Sequence, residues 1–377
     1  MRAQSRGTVT QATVRVLGLD DAAAWQQTLA RFGFVDPYFT LGYARLWTTI
    51  EGGSPHLFVY EDASGGFAYP FRQRAVAEIR GLEQFTSSWD IVSDYGYGGP
   101  VARIEAGADG PAFVGRAVAA FDATCAERGI VAEFCRFHPL LENAELVRKS
   151  HQPVLCNQTA WVDLRISGAE IWQQVRKGHR YDIRKAERNG IEVRTSESPD
   201  DAAECYRLYA ESMDAAGAKP YYYFGAEFFA ETLCLLTGNV IMFFAAHAGQ
   251  TIAASMFLFG DKLCHYHFSG LDRRFASITP NKLLMFRAIE WAKAKGFERL
   301  HLGGGFGGSD SDSLMLFKAG FTRLRASFHI TKRVHDPAAY ARLCDAVGVA
   351  PTVDGFFPAY RAVVSSRPTP RGAEVRE

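Results

Sequence analysis

A surplus of charge of either sign is missing from this sequence. Its 42 Lys and Arg nearly balance 41 Asp and Glu, leaving a net charge of +1. No global attraction to nucleic acid follows, so any RNA contact has to come from a local patch. Long apolar runs are also lacking, and none approaches the ~18 residues that a membrane-spanning helix needs. The opening Met-Arg-Ala-Gln-Ser-Arg-Gly-Thr has no apolar segment of signal-peptide type. The expectation is therefore a cytoplasmic protein, not a secreted one. The seven cysteines (125, 135, 156, 205, 234, 264 and 344) are odd in number and include no Cys-x-x-Cys pair. In surroundings such as Ala-Glu-Phe-Cys-Arg-Phe they read as reduced thiols used as small hydrophobes. A Gly-x-Ser-x-Gly elbow, a Walker lysine and a persuasive pair of catalytic carboxylates are absent.

What is present is a chain of 377 residues, 47% hydrophobic and 22% charged, which fits two soluble globular domains. The element order occurs twice. Runs 56–61 and 66–74 flank Asp-Ala-Ser-Gly as a hairpin, and 239–247 and 251–259 repeat the arrangement around Ala248-Gly249-Gln250. Each hairpin is followed by a helix ending in glycine, 117–129 and 286–296, with apolar residues at helical spacing. Each helix leads to a strand (130–137 and 297–302), a short helix (142–149 and 312–318) and a further strand (152–164 and 321–331). This duplicated hairpin–helix–strand–helix–strand order points to two α/β units.

Three stretches carry the chemistry. Residues 299–321 read as a buried strand, a glycine-rich turn, a helix capped between Ser309 and Ser313, and then Phe317-Lys318-Ala-Gly-Phe321. Residues 171–190 form a basic helix on which Lys177, Arg180, Arg184 and Arg188 fall within about 80° of one another. Trp172, Val175, Ile183 and Ala186 gather opposite, and Gly178 is a candidate break. By type and spacing alone, the four cations also suit a solvated face paired with Asp182 and Glu187, and Lys318 also suits a surface lysine. Residues 85–100 insert Tyr95 and Tyr97 among glycines and aspartates, as suits either a pocket-lining loop or a packed surface loop.

Two other signals weigh less. Gly303-x-Gly305-x-x-Gly308 has the dinucleotide spacing, but 321–331 holds no acidic residue to bind a ribose. His265 and His267 share one face of a strand, but no spacing supplies a third metal ligand, so no metal is expected. The aromatic run Tyr221–Phe224 suits a core more than a ligand contact.

Phe317-Lys318-Ala-Gly-Phe321 resembles the last helix of GNAT acyltransferases. Its Phe-Lys pair resembles that of the FemABX peptidyltransferases, which take an aminoacyl group from aminoacyl-tRNA. Trp-x4-Lys-x2-Arg-x3-Arg-Lys-Ala-x3-Gly, starting at Trp172, resembles a FemABX segment in which one arginine binds substrate phosphate. The loop ending Gly99-Pro100 and the strand His-Tyr-His-Phe-Ser-Gly resemble acceptor-site segments of the same family. The resemblance spans roughly residues 15–345. It implies an α/β fold of two tandem GNAT-like domains with mixed sheets flanked by helices. The expected domains are 1–160 and 161–348, with a partly disordered extension at 349–377.

The same resemblance implies a cytoplasmic transferase forming an amide bond between an aminoacyl group carried by tRNA and a small amine, with Lys318 and Phe317 catalytic. Lys177, Arg180, Arg184, Tyr266, Ser269, Tyr95 and Tyr97 are the implied substrate contacts. No resident cofactor is expected, aminoacyl-tRNA being a co-substrate. Pro37–Trp47 lacks a lysine for phosphate contact and 190–240 lacks heptads. Both absences put a nucleotide-linked cell-wall precursor in doubt, so the acceptor stays open between natural-product and cell-wall-precursor types, the former at least as well supported. The alternative is an acyl-CoA-dependent N-acyltransferase. The CoA-binding glycines of GNAT enzymes are, however, missing from Arg273–Lys282, although Thr279 and Pro280 still suit a helix start.

Overall fold

The computed structural model describes residues 12–33, 36–305 and 312–362. The expected cap near Ser309, the glycine Gly308 and the tail beyond 362 lie outside the described residues. The first half of the chain gives β1 (Thr13–Leu17), α1 (Ala22–Ala30), α2 (Leu41–Glu51), β2 (Ser54–Asp62), β3 (Gly65–Ala75), β4 (Trp89–Val92) and β5 (Val101–Ile104). It continues with α3 (Gly110–Glu127), β6 (Ile130–Arg136), α4 (Asn143–Leu146), α5 (Arg148–His151) and β7 (Val154–Asp163). The second half gives α6 (Gly168–Gln174), α7 (Lys177–Arg188), β8 (Glu192–Ser196), α8 (Ala202–Ala216), α9 (Ala226–Leu235), β9 (Val240–His247), β10 (Gln250–Phe259) and β11 (Leu263–Leu271). α10 (Pro280–Ala294), β12 (Arg299–Gly303), α11 (Ser313–Ala319), β13 (Arg325–Val334) and α12 (Pro337–Ala346) complete it.

The duplicated order is observed, and two compact units carry it. Described residues 12–33, 38–155 and 329–362 form the first, and 36–37, 156–305 and 312–328 form the second. In the first, the strands run β1-β2-β3-β4-β6-β13, with β5 beside β3. In the second they run β8-β9-β10-β11-β12-β7. Within each unit the strands pair antiparallel except for one parallel pair, β4 with β6 and β11 with β12.

These units cut across the sequence halves 1–160 and 161–348, because the closing strands are exchanged. β7 follows β6 in sequence but pairs antiparallel with β12. β13 follows β12 but pairs antiparallel with β6, from Ile330 opposite Arg136 to Val334 opposite Ala132. Residues 349–362, expected to be part of an extension, pack into the first unit. There Tyr360 and Phe357 join the core under α12, and Tyr360 and Arg361 both bond Asp90.

Sequence patterning accounts for the cores. In the first unit, Phe113, Ala117, Phe121 and Cys125 recur along α3 and bury against Phe58, Phe67, Tyr69 and Phe71 of the hairpin. In the second, Leu284, Ala288 and Ile289 of α10 pack with Ile171, Val175, Ile183 and Ala186 over Phe243, Phe257 and Leu300. Local caps fix helix starts: Ser167 and Glu170 form a capping box on α6, and Asp109 accepts from Ala112 at the start of α3. All seven cysteines are free thiols, of which Cys156 and Cys234 are exposed. Among the described residues no helix is long and apolar enough to cross a membrane.

Candidate active site

The site grows out of the parallel pair of the second unit. β11 and β12 pair only through Leu263–Arg299, Cys264–Leu300 and His265–His301. β11 then continues to Leu271 while β12 ends at Gly303, so the strands part beyond His265. Lys318, in the last turn of α11, reaches into this gap. Its Nζ donates to the carbonyl oxygen of Gly304 at 2.6 Å and stands 5.7 Å from the centre of the Tyr266 ring.

Lys318, for which type and spacing alone left a surface position open, is only 6% exposed. Burial pulls its pKa down to about 7, against the opposing charge of Asp312. Losing hydration disfavours the ammonium form, which brings the group near even protonation at neutral pH. Asp312 also caps α11, accepting from the backbone N–H groups of Leu314 and Met315. Residue 305 has to be glycine for this, since a Cβ there would stand 2.6 Å from the Asp312 carboxylate.

Tyr266 is placed by a bulge. Met256 faces Phe268 and Phe257 faces Tyr266, which leaves His267 as the extra residue. Tyr266 thus packs against the core beneath α10, whereas Phe268 packs among Tyr209, Phe224 and Phe228. Burial raises the Tyr266 phenol, while hydrogen bonds with Ser269 and Ser255 pull the other way. The two serines are cross-strand partners. Lys318, Tyr266 and Ser269, expected from the sequence, therefore come together, and Ser255 joins them.

α11 is held by α7. The His179 Nε2–H donates to the carbonyl of Phe317 at 3.0 Å, and the Arg176 N–H donates to the carbonyl of Gly320 at 2.8 Å. Phe317 is half-buried and edge-packed on Phe321, centroids 5.3 Å apart.

The basic helix does break, but between α6 and α7 and not at Gly178. Arg180 turns back across the break. Its Nη1 donates to the carbonyls of Trp172, Gln173 and Val175 at 3.3, 3.0 and 2.8 Å, capping α6. Arg184 is exposed, its guanidinium 5.4 Å from the Trp172 ring centre. It borders a pocket of about 300 Å³ lined by Ile171, Ile183, Phe286 and Ile289. Lys177 is exposed at the first position of α7. Asp182 and Glu187 pair with Lys282 and Arg287 of α10, not with neighbours on their own helix.

Tyr95 and Tyr97 lie in the first unit. Tyr95 stacks on Trp47 at 5.0 Å, and its carbonyl accepts from Tyr43. Tyr97 meets the edges of Tyr38 and His138. At the start of α10, Thr279 occupies the cap position without capping; its hydroxyl donates to the Asp182 carbonyl at 2.9 Å. His265 Nε2 lies 2.7 Å from Asp36 Oδ2, and burial draws the His267 pKa down to about 3. The sequence reading missed His179, Ser255 and Asp312. For His179 a signal existed, in its place amid the basic helix, but the segment was read for cations alone.

Comparison with known proteins bears on the fold. Residues 173–310 match the acetyltransferase (GNAT) domain family. A crystal structure of FemX aligns with a TM-score of 0.63 at 10% identity, covering 84% of this chain and 96% of that one. The C-terminal DUF2156 domain of a putative lysylphosphatidylglycerol synthetase from Agrobacterium fabrum aligns at 0.53 and 14% identity, over 89% of this chain and 100% of that one. A conserved protein of unknown function from Bacteroides thetaiotaomicron VPI-5482 aligns at 0.53 and 9%, over 85% and 99%. No curated protein sequence matches the chain. The chain has the GNAT acyltransferase fold. Its two-unit form is similar in fold to the FemX structure.

Proposed function

We propose that the protein forms amide bonds by moving an aminoacyl group from aminoacyl-tRNA to the amine of a small acceptor. The observation that carries this reading is Lys318, buried in the gap between β11 and β12 with an amine poised near neutrality. The acceptor amine attacks the ester carbonyl, the bond to the tRNA 3′ oxygen breaks, and the proton lost by the amine ends on that oxygen. Lys318 in its ammonium form donates to charge developing on the carbonyl or the departing oxygen, where a dry setting makes such a donor most effective. Phe317 and Tyr266 shape the lysine's surroundings, and positioning supplies the remainder of the rate.

The donor class rests on the start of α10. The CoA-binding glycines are missing from Arg273–Lys282, and the Lys282 amine is paired with Asp182. Lys177 and Arg184 are the exposed cations offered to the tRNA backbone. A natural-product amine suits the chain better than a nucleotide-linked cell-wall precursor, because Pro37–Trp47 has no lysine. The test combines the protein with charged total tRNA and a pool of small amines, read by mass spectrometry. An aminoacyl amide dependent on Lys318 supports the reading. Turnover of acetyl-CoA with none of charged tRNA overturns it in favour of the acyl-CoA alternative.

A further inference from the structure

We propose that His179 is a positioning residue for Lys318, clamping the backbone of α11 onto α7 so that the lysine amine stays inside the gap between β11 and β12. This rests on Lys318 being the acting group of the proposed reaction.

Two hydrogen bonds from the start of α7 bracket the lysine. His179 Nε2–H reaches the carbonyl of Phe317, the residue before it. The Arg176 N–H reaches the carbonyl of Gly320, two residues after it. A carbonyl can only accept, so the His179 proton sits on Nε2. The imidazole fills the space that a side chain at 320 would need: a Cβ there would stand 2.0 to 2.3 Å from Nε2, Cε1 and Cδ2 of the ring. The ring also meets the edge of Phe321 with centroids 4.9 Å apart. His179 and the bare Gly320 are thus a matched pair, and the helix turn between them has one place to sit.

Lys282 from α10, Asp182 within α7 and Arg176 just before α7 face His179. Burial and then Lys282 lower the imidazole pKa, so the ring is neutral when it donates. Asp312 at the head of α11 and Tyr266 of β11 face the lysine. With the clamp released, α11 is free to tilt. The amine then meets water, and its titration moves toward that of an ordinary lysine.

The test labels the full-length protein with acetic anhydride across pH 5 to 11 and reads Lys318 by peptide mass spectrometry, with exposed Lys295 as internal reference. The native amine should label half-maximally near its value of about 7. His179→Ala should move that midpoint up by more than one pH unit, and His179→Gln, whose amide N–H can still donate, should restore most of it. Gly320→Ala should reproduce the shift by evicting the ring, and the double variant His179→Ala/Gly320→Ala should shift no further than His179→Ala alone. If His179→Ala fails to fold, Gly320→Ala and His179→Gln decide the matter. An unchanged midpoint in folded variants, or additive shifts in the double variant, overturns the clamp. Labelling reads the amine whatever the reaction is. A shifted midpoint in a protein with no transferase activity therefore upholds the clamp while sinking the functional reading, and an unshifted midpoint in an active enzyme does the reverse.

Discussion

Lys318 and Tyr266 stand on opposite sides of one gap, the amine nitrogen 5.7 Å from the ring centre. The ring face attracts the ammonium form while burial opposes it, and burial prevails. Replacing Lys318 with Ala should lower kcat by about 10²–10³, with a smaller effect on KM, as for loss of one donor acting in the transition state. Lys318→Arg should not restore the rate, because the planar fork cannot occupy the position of a single Nζ. Steady-state kinetics with charged tRNA and the identified amine checks both.

The same lysine should cost the fold stability. Its folded pKa of about 7 lies below the ordinary 10.5, so the unfolded chain binds more protons between those values. The contribution of Lys318 therefore rises with pH across that window and is least favourable below about pH 7. Lys318→Met should be more stable than the native protein at pH 6, and the gain should shrink toward pH 10.5. Urea titrations at several pH values measure it, and a gain that grew with pH would contradict the assignment.

Arg180 and Arg184 should separate cleanly. Arg180 caps three carbonyls of the α6 terminus, so Arg180→Ala should lower stability by about 1.5–3 kcal/mol, the range for bonds to a charged group. Exposed Arg184 should tolerate Arg184→Glu without change in Tm, while tRNA binding weakens and its salt dependence falls. Equal Tm losses in both variants would show that Arg184 is also part of the scaffold.

The contrast marks how far the sequence could be read. The repeated hairpins, the glycine-ended helices and the Phe-Lys-x-Gly-Phe segment were legible because periodicity and turn residues are local. Lys318, Tyr266 and Ser269 were named from the family resemblance, and it is the structure that brings them together at one strand pair. The fate of Arg180 was not legible, since whether a guanidinium faces solvent or folds onto a helix end depends on a chain break two residues wide. Nor was the bulge at His267 visible, which sends Tyr266 and Phe268 to different cores. The strand exchange was not legible either, because which strand closes a unit is a long-range pairing that local periodicity does not encode.

Acid should attack the first unit through Glu133. Burial would raise this carboxyl, but His151, His335 and Arg333 outweigh it and hold the pKa well below the ordinary 4.5. A depressed carboxylate stabilises the fold above pH 4.5, and the benefit is lost as pH falls through the folded value. Glu133→Gln should be clearly less stable at pH 7, with the difference closing below pH 4. Circular dichroism melts across that range would show it.

A chain stopped after Phe328 should damage the distant half of the sequence. It keeps the second unit but removes the strand that pairs with β6, along with both Arg333 and His335. Hydrogen exchange should show lost protection in β2, β3 and β6 with protection retained in β9 and β10. Retained protection throughout would mean that the first unit closes without β13.

During synthesis this arrangement imposes a wait. β6 leaves the ribosome at residue 136, but β13, its second partner, first pairs with it at residue 330, roughly 200 residues later, or about 10–40 s at ordinary elongation rates. Through that interval the side of β6 away from β4 is an open edge available to other chains, and Glu133 lacks Arg333 and His335. The nascent first half is therefore the stage at which chaperones, or a slow codon, would decide the yield of the finished protein.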